Sequence, residues 1–288
     1  MQEIQRIAAV SDLSGFGRCA LTVALPVLSA MGYQVCPVPT AVLSTHTGYP
    51  NPHIRDFTDD MESYLAHWEQ LGLTFACGYT GFLGNERQAA ILEPFLTCLR
   101  EQGAMRLVDP AMADHGKLYS SCSPALIPAM ARLVSLASVA TPNLTELCLL
   151  TGEDYDSVMA EPEGADRRWR VEQMARRLLA EGCGAVVVTG VVQGDRIENC
   201  VLPSAMALAE WVDDSCVDNR RVEQTFAGTG DVFASVLCGW LLKDHSLFEA
   251  ACRATEFVCK ATAATATMNV NGQDGIAFEP YLNELIKE

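Results

Sequence analysis

The run AVVVTG, residues 185–190, is the feature that most narrows what this chain can fold into. It has no polar alternation, so a strand made from it has no face to offer water, and such strands belong to parallel sheets covered by helices on both sides. The rest of the chain supplies those helices. Short β-branched runs alternate with helical patterns: RIAAV precedes 18–31, YQVCPV precedes 59–71, LTFAC precedes 85–102 and RLVD precedes 123–134. ASVAT, a helix from Asn143 and another over 168–181 lead into the apolar strand. This βαβα rhythm predicts an α/β fold with a mostly parallel central sheet. After Gly190 the rhythm changes: RIENCVL and MALAEWV read as paired antiparallel strands, giving an antiparallel edge, before helices resume at Thr229. The stretch 153–170, acidic and then basic, reads as an exposed connection within one domain covering 1–288.

Composition removes several function classes. A 288-residue chain that is 49% hydrophobic can bury one large core or two modest ones. Its net charge is −16, and no basic run is longer than the Arg167, Arg168, Arg170 group, which argues against nucleic acid and anionic membranes as partners. The 12 cysteines are scattered through apolar segments and form no CxxC, and HExxH is absent, so neither a disulfide framework nor a dedicated zinc site is expected. Residues 1–10 resemble a strand rather than a secretory leader, and the longest uncharged apolar run, 19–33, is too short to span a bilayer. A cytoplasmic protein with reduced thiols is the expectation.

In open α/β sheets, ligands sit beyond the carboxyl ends of the strands, where polar loops collect here: SDLSGFG, TAVLSTHTGYPNPH, GYTGFLGN, DPAMADHGKLYSSC and TPNLTE. The helix opening at 229 is preceded by AGTGD. Gly228 and Gly230 permit close backbone approach, so the amides of Thr229, Gly230 and Asp231 form an anion site at a helix N-terminus. Asp231 would accept a proton from an attacking hydroxyl, the remaining part that phosphoryl transfer requires. A glycine-rich turn with an acidic first helical turn is the structural alternative. A P-loop is excluded, because Gly116-Lys117 lacks the earlier glycine, and SGFG after the first strand lacks the third glycine of a dinucleotide fingerprint.

FAGTGDVFASVLCGWLL resembles the signature of the ribokinase superfamily in the form used by pyridoxal (vitamin B6) kinases. LSTHTGY, GYTG, DPAM and TPNLTEL stand in the same order as in those enzymes, covering 11 to about 242. SDLSGFG departs from the pattern and is closer to the first loop of hydroxymethylpyrimidine kinases. The resemblance implies a three-layer ribokinase-like sandwich that transfers a phosphate from ATP to the 5'-hydroxymethyl group of a B6 vitamer. It implies that Asp231 is the base, that Gly228, Thr229 and Gly230 form the anion hole, and that Thr229 contacts phosphate. Asp109, Thr141 and Glu146 match cation and triphosphate positions, and Asn143 and Thr189 nucleotide positions. Ser11, His46, Thr47 and Tyr79 would surround the pyridine ring, with Tyr79 stacking, and Tyr119 and Cys122 would lie in a lid. Mg²⁺ with ATP is implied as cofactor, with room for a monovalent cation, and a homodimer is the implied assembly.

Read singly, several of these residues have structural alternatives. Asp109 also fits a turn-initiating Asp-Pro, Thr141 and Glu146 a helix start, Thr189 a strand-end hydroxyl, His46 a satisfied structural histidine and Cys122 a packed thiol. The near functional alternative is a hydroxymethylpyrimidine kinase, and the distant one a catalytically silent nucleotide-binding protein.

Overall fold

Along the apolar run the side chains divide between two cores: Val186 and Val188 enter one, Ala185 and Val187 the other. That division is why the strand needs no polar face. The computed structural model describes residues 4–203 and 216–286. In chain order these form β1 (Arg6–Ser14), α1 (Leu21–Ala30), β2 (Gln34–Leu43), β3 (Ile54–Asp56), α2 (Thr58–Gln70), β4 (Cys77–Thr80), α3 (Glu86–Glu101) and β5 (Met105–Val108). Next come β6 (Ala113–Asp114), β7 (Lys117–Leu118), α4 (Leu126–Leu136), β8 (Val139–Ala140), α5 (Leu144–Thr151), α6 (Tyr155–Ala160) and α7 (Ala165–Ala180). The chain continues with β9 (Ala185–Gln193), β10 (Arg196–Pro203), β11 (Cys216–Arg220), α8 (Thr229–Leu241) and α9 (Leu247–Thr265).

Among the described residues nine strands form one sheet in the order β11-β10-β9-β8-β5-β4-β1-β2-β3. The pairs from β2 through β9 are parallel, whereas β3, β10 and β11 join antiparallel. Helices α3, α4, α5 and α7 cover one face, and α1, α8 and α9 the other. This is the expected three-layer α/β sandwich of ribokinase type. Every residue of α8 from Val232 to Trp240 is buried, as befits a helix enclosed by the sheet, α1 and α9.

Several elements differ from expectation. The third core strand is Cys77–Thr80, starting only at the last residue of LTFAC, because Leu73 and Phe75 pack as a connection against α2 and α3. The stretch 153–170 is no plain exposed connection: it holds α6 and the start of α7, with Val158 and Arg167 buried. The Arg167 guanidinium donates to the carbonyls of Met159, Glu161 and Val192 at 2.8–3.0 Å, which is why it tolerates burial. The partner of β10 is β11, while MALAEWV lies outside the described residues. Among the described residues no helix is long and apolar enough to cross a membrane.

Candidate active site

The AGTGD turn builds an anion site. Gly228 is the N-cap of α8 with φ 74°, and a Cβ there would stand 1.9 Å from the Arg18 carbonyl oxygen, so only glycine fits. The Gly228 carbonyl accepts the first helical bond, from the Val232 N–H, at 3.0 Å. The N–H groups of Thr229, Gly230 and Asp231 therefore have no helical acceptor. Gly230 is exposed, and a Cβ built on it meets nothing within 4 Å, which leaves open space beside those donors.

Asp231 projects from the same turn toward the start of α1, where its carboxylate accepts the Ala20 N–H. Ala20 holds φ 49° there, a left-handed conformation that a non-glycine residue adopts only when its surroundings impose it. Burial pushes Asp231 up to about 7, and the Asp12 carboxylate adds to the shift. That value suits a group exchanging protons near neutrality.

Other carboxylates converge on the same strand ends. Asp109 follows β5, and burial together with Asp231 pushes it up to about 8. The Thr141 hydroxyl, at the end of β8, tempers that shift but has no well-aligned hydrogen-bond partner of its own. Glu146 is buried and held well above the usual carboxylate range by desolvation and by Asp109. Its oxygens accept the N–H groups of Met112 at 3.1 Å and Asn143 at 2.9 Å, closing a capping box with Asn143 on α5. Asp12, on β1, is also buried and raised by desolvation, and the Ser14 hydroxyl donates to it at 2.7 Å. Asp109 and the unpartnered Thr141 hydroxyl offer hard oxygens of the kind a divalent cation takes, but among the described residues no three of these carboxylates come close enough to form a ligand cluster.

Around the loop after β2, Thr47, Tyr49, Pro52 and Ile54 line a cavity of about 570 Å³ together with Ser120 and Ser121. That loop is latched to the turn at 271–276. The His46 Nδ1 accepts the Gly48 N–H at 3.1 Å, so Nε2 carries the proton and donates to the Gln273 carbonyl at 2.7 Å. The Tyr49 hydroxyl donates to Asp274, a bond that pushes the phenol up to about 12. The same turn supports the anion loop, because the Ala227 N–H donates to the Gly272 carbonyl at 2.9 Å and Arg18 donates to the carbonyls of Asp274 and Gly275. On the other side, a cavity of about 730 Å³ is lined by Gly194, Asp195, Arg220, Arg221, Val222 and Cys259 among others. Asp231 lines neither cavity.

The phosphomethylpyrimidine kinase family profile matches residues 72–276. The pyridoxine/pyridoxal/pyridoxamine kinase of Bordetella avium is 32% identical over 90% of this chain and 85% of its own. The chain belongs to this kinase family, in its pyridoxal kinase group. A phosphomethylpyrimidine kinase-like protein of Bacteroides thetaiotaomicron, crystallised with pyridoxal, is 35% identical with TM-score 0.89, covering 98% of this chain and 96% of that one. The pyridoxal kinase of Lactobacillus plantarum is 29% identical with TM-score 0.85, covering 99% and 97%.

Within the kinase, the structure brings Asp231, Gly228, Thr229, Gly230, Asp109, Thr141 and Glu146 to one end of the sheet, with Asp12 as a member that the sequence did not single out. Ser11 ends the same strand region and accepts the Phe82 N–H at 3.0 Å. Thr189 is half-buried midway along β9 and bridges to Asn143. Three of the expected site residues are held by protein contacts of their own. Both ring nitrogens of His46 are committed to backbone groups, so it positions its loop rather than meeting a ring. Tyr79 is 4% exposed, its ring packed in the core beneath α8, so it presents no open stacking face. The Asn143 amide is anchored at both ends, to the Glu146 N–H and the Ala113 carbonyl, so its first role is to fix the start of α5.

The segment expected as a lid contains the β6–β7 hairpin, whose Gly116 N–H donates to the Thr145 hydroxyl at 2.9 Å. Tyr119 leaves that hairpin half-buried, and desolvation followed by the charges of Glu146, Asp114, Asp231 and Asp109 raises its phenol. Burial pushes the Cys122 thiol up to about 11, so at neutral pH it stays protonated and packs against the core. The 730 Å³ cavity had no sequence signal, since Arg220–Glu223 form no motif.

Proposed function

We propose that this kinase transfers the γ-phosphate of ATP to the 5'-hydroxymethyl group of pyridoxal, pyridoxine or pyridoxamine. The observation that carries the reading is Asp231, half-buried and poised at about 7 beside the open amides of a glycine-capped helix. In this reading Asp231 takes the hydroxyl proton as the oxygen attacks, and the amides of residues 229–231 hold the transferring phosphate in line. Mg²⁺ would be held with the nucleotide phosphates by Asp109 beside Thr141, neutralising charge on the phosphates. Glu146 acts through the backbone amides it fixes, and Asp12 keeps Asp231 from ionising too readily. The B6 ring enters through the Thr47 cavity, where Thr47 supplies a polar contact, Ser11 meets it from β1 and Tyr119 closes over it. The nucleotide base occupies the Arg220–Val222 cavity, and Thr189 borders its path to the phosphates. A cytoplasmic homodimer completes the proposal, and the exposure of Val42 and Ile54 on the β2–β3 edge supports a further interface.

The first loop, SDLSGFG, resembles that of hydroxymethylpyrimidine kinases and makes hydroxymethylpyrimidine the acceptor to test against the B6 vitamers. An ADP-release assay with both acceptors at fixed Mg·ATP separates the two. The best B6 vitamer is expected to exceed the pyrimidine at least about tenfold in kcat/KM, the ratio that ~1.4 kcal/mol supplies. An equal or reversed ratio would transfer the assignment to the pyrimidine, and no ADP release with any acceptor would overturn both.

A further inference from the structure

At the antiparallel edge of the sheet, away from the residues assigned to catalysis, Cys200 of β10 stands directly opposite Cys216 of β11. Their sulfur atoms are 3.2 Å apart. Opposed residues in an antiparallel pair have Cα atoms about 4.5–5.5 Å apart, inside the range of about 4.4–6.8 Å that a disulfide needs. An S–S bond can therefore form here by side-chain rotation, without moving the strands. The two thiols differ in access: Cys200 is fully buried, whereas Cys216 is half-buried. The charge of Arg168 reaches both sulfurs. The Cys200 thiol is nonetheless held well above its ordinary range, by its bond with Cys216, by burial and by Glu198, which leaves the half-buried Cys216 as the sulfur that meets an oxidant first. The other close pair among the described residues, Cys77 and Cys238 at 3.7 Å, has both members buried, so neither sulfur is open to an oxidant.

Glu198 lies with these two sulfurs, all three ligand atoms within 4.8 Å of one another. That grouping suggests a thiophilic metal, but the Glu198 carboxylate already takes a two-pronged contact from Arg168, at 2.7 and 3.3 Å. A metal would have to displace that guanidinium or share the space with its positive charge. Redox chemistry needs neither.

We propose that Cys216 and Cys200 are a reversible thiol–disulfide pair that staples the edge strand β11 to β10. With glutathione disulfide as oxidant, the Cys216 thiolate attacks one glutathione sulfur, breaks its S–S bond and expels one glutathione thiolate. The Cys200 sulfur, giving up its proton, then attacks the Cys216 sulfur of the mixed disulfide and expels the second glutathione. Two protein thiols are oxidised, one glutathione disulfide is reduced to two glutathione thiols, and the two protons released by the protein end on them. The staple lies on the ladder whose other end, the Arg196–Arg220 pair, runs into the wall of the 730 Å³ cavity. Oxidation thus restrains the strand that shapes this cavity.

The test uses the full chain, incubated with excess glutathione disulfide, alkylated, digested and mapped by mass spectrometry, with hydrogen exchange measured in parallel. The expected result is a 200–216 linked peptide that disappears on reduction with dithiothreitol, and amide exchange over 216–220 slowed at least about tenfold in the oxidised form. Cys200→Ala is expected to stop at a glutathione adduct on Cys216, and Cys216→Ala to leave Cys200 unmodified. If either variant fails to fold, mapping of the unsubstituted protein decides. Full alkylation of both cysteines after oxidation, or a lasting adduct on Cys216 of the unsubstituted protein, would overturn the proposal. So would stoichiometric Zn²⁺ binding by the reduced protein that either substitution abolishes, since the pair would then be a metal site. None of these readouts depends on the acceptor being a B6 vitamer.

Discussion

Gly230→Ala separates stability from catalysis in one substitution. Position 230 is in the first turn of α8, its φ is not in the left-handed region, and an added Cβ touches nothing within 4 Å. Alanine is favoured over glycine in helices by about 0.8–1.0 kcal/mol. In a first turn about half of that is realised, so for a chain of this size Tm is expected to hold or rise by about 1–3 °C. The space the methyl group fills is the space beside the amide donors. A phosphate oxygen bonded to such an amide would sit about 2.9 Å from the nitrogen, and a methyl group on the adjoining atom displaces it by roughly an ångström. A misplacement of that size lowers rates by up to about 10²-fold, equivalent to ~2.7 kcal/mol of barrier. The expected outcome is a kinase at least as stable as the parent with kcat reduced about 10- to 100-fold, read by thermal melting and ADP release on the same sample. Full activity in a folded Gly230→Ala protein would show that the phosphate does not lie over this turn. Gly228→Ala is the contrasting control, because the 1.9 Å clash with Arg18 and the φ of 74° make it lose stability and activity together.

Asp231→Asn should lower kcat by about 10²–10⁴ with ATP affinity retained, and the parental kcat/KM should rise with pH through about 7 and level above it, a limb that the variant lacks. Asp109 has its pKa raised from 3.8 to about 8, so the folded state binds more protons than the unfolded one between those values, and stability falls as pH rises across that window. Melting of Asp109→Asn without metal should accordingly show a gain of a few °C at pH 8 and none near pH 4, and its Mg²⁺ requirement should rise more than that of Glu146→Gln, whose parent carboxylate is spent on backbone amides. Tyr49→Phe removes the bond to Asp274 and should raise KM for the acceptor about 2- to 10-fold while leaving KM for ATP unchanged in steady-state kinetics, and an equal effect on both would refute a role confined to the acceptor loop.

The order of strands and helices was legible because apolar period and burial are local properties: Val186 and Val188 announce a two-faced strand whatever surrounds them. Leu73 and Phe75 misled for the same reason, since apolar residues pack equally well in a connection, and only the ladder bonds of Cys77–Thr80 distinguish the strand. At the site, the AGTGD turn carried its own signal in Gly228 and Gly230. His46 was ambiguous because its role is decided by a carbonyl 227 residues away. Arg167, charged yet buried, is intelligible only once the carbonyls of Met159, Glu161 and Val192 surround it. Asp12 read as a loop aspartate, since nothing local brings it to Asp231.

The turn at 271–276 joins loops that are very distant along the chain: it bonds His46 and Tyr49 across 227 and 225 residues, and it also holds the backbone of Ala227. Contacts of such separation carry a large loop-closure entropy and form late, after locally driven helices and neighbouring strands are in place. A chain with a complete sheet but an undocked turn would have ordered secondary structure and neither loop in position. Catalysis in this protein is therefore an end-point property, acquired at the last closure and the first thing surrendered when that turn comes away.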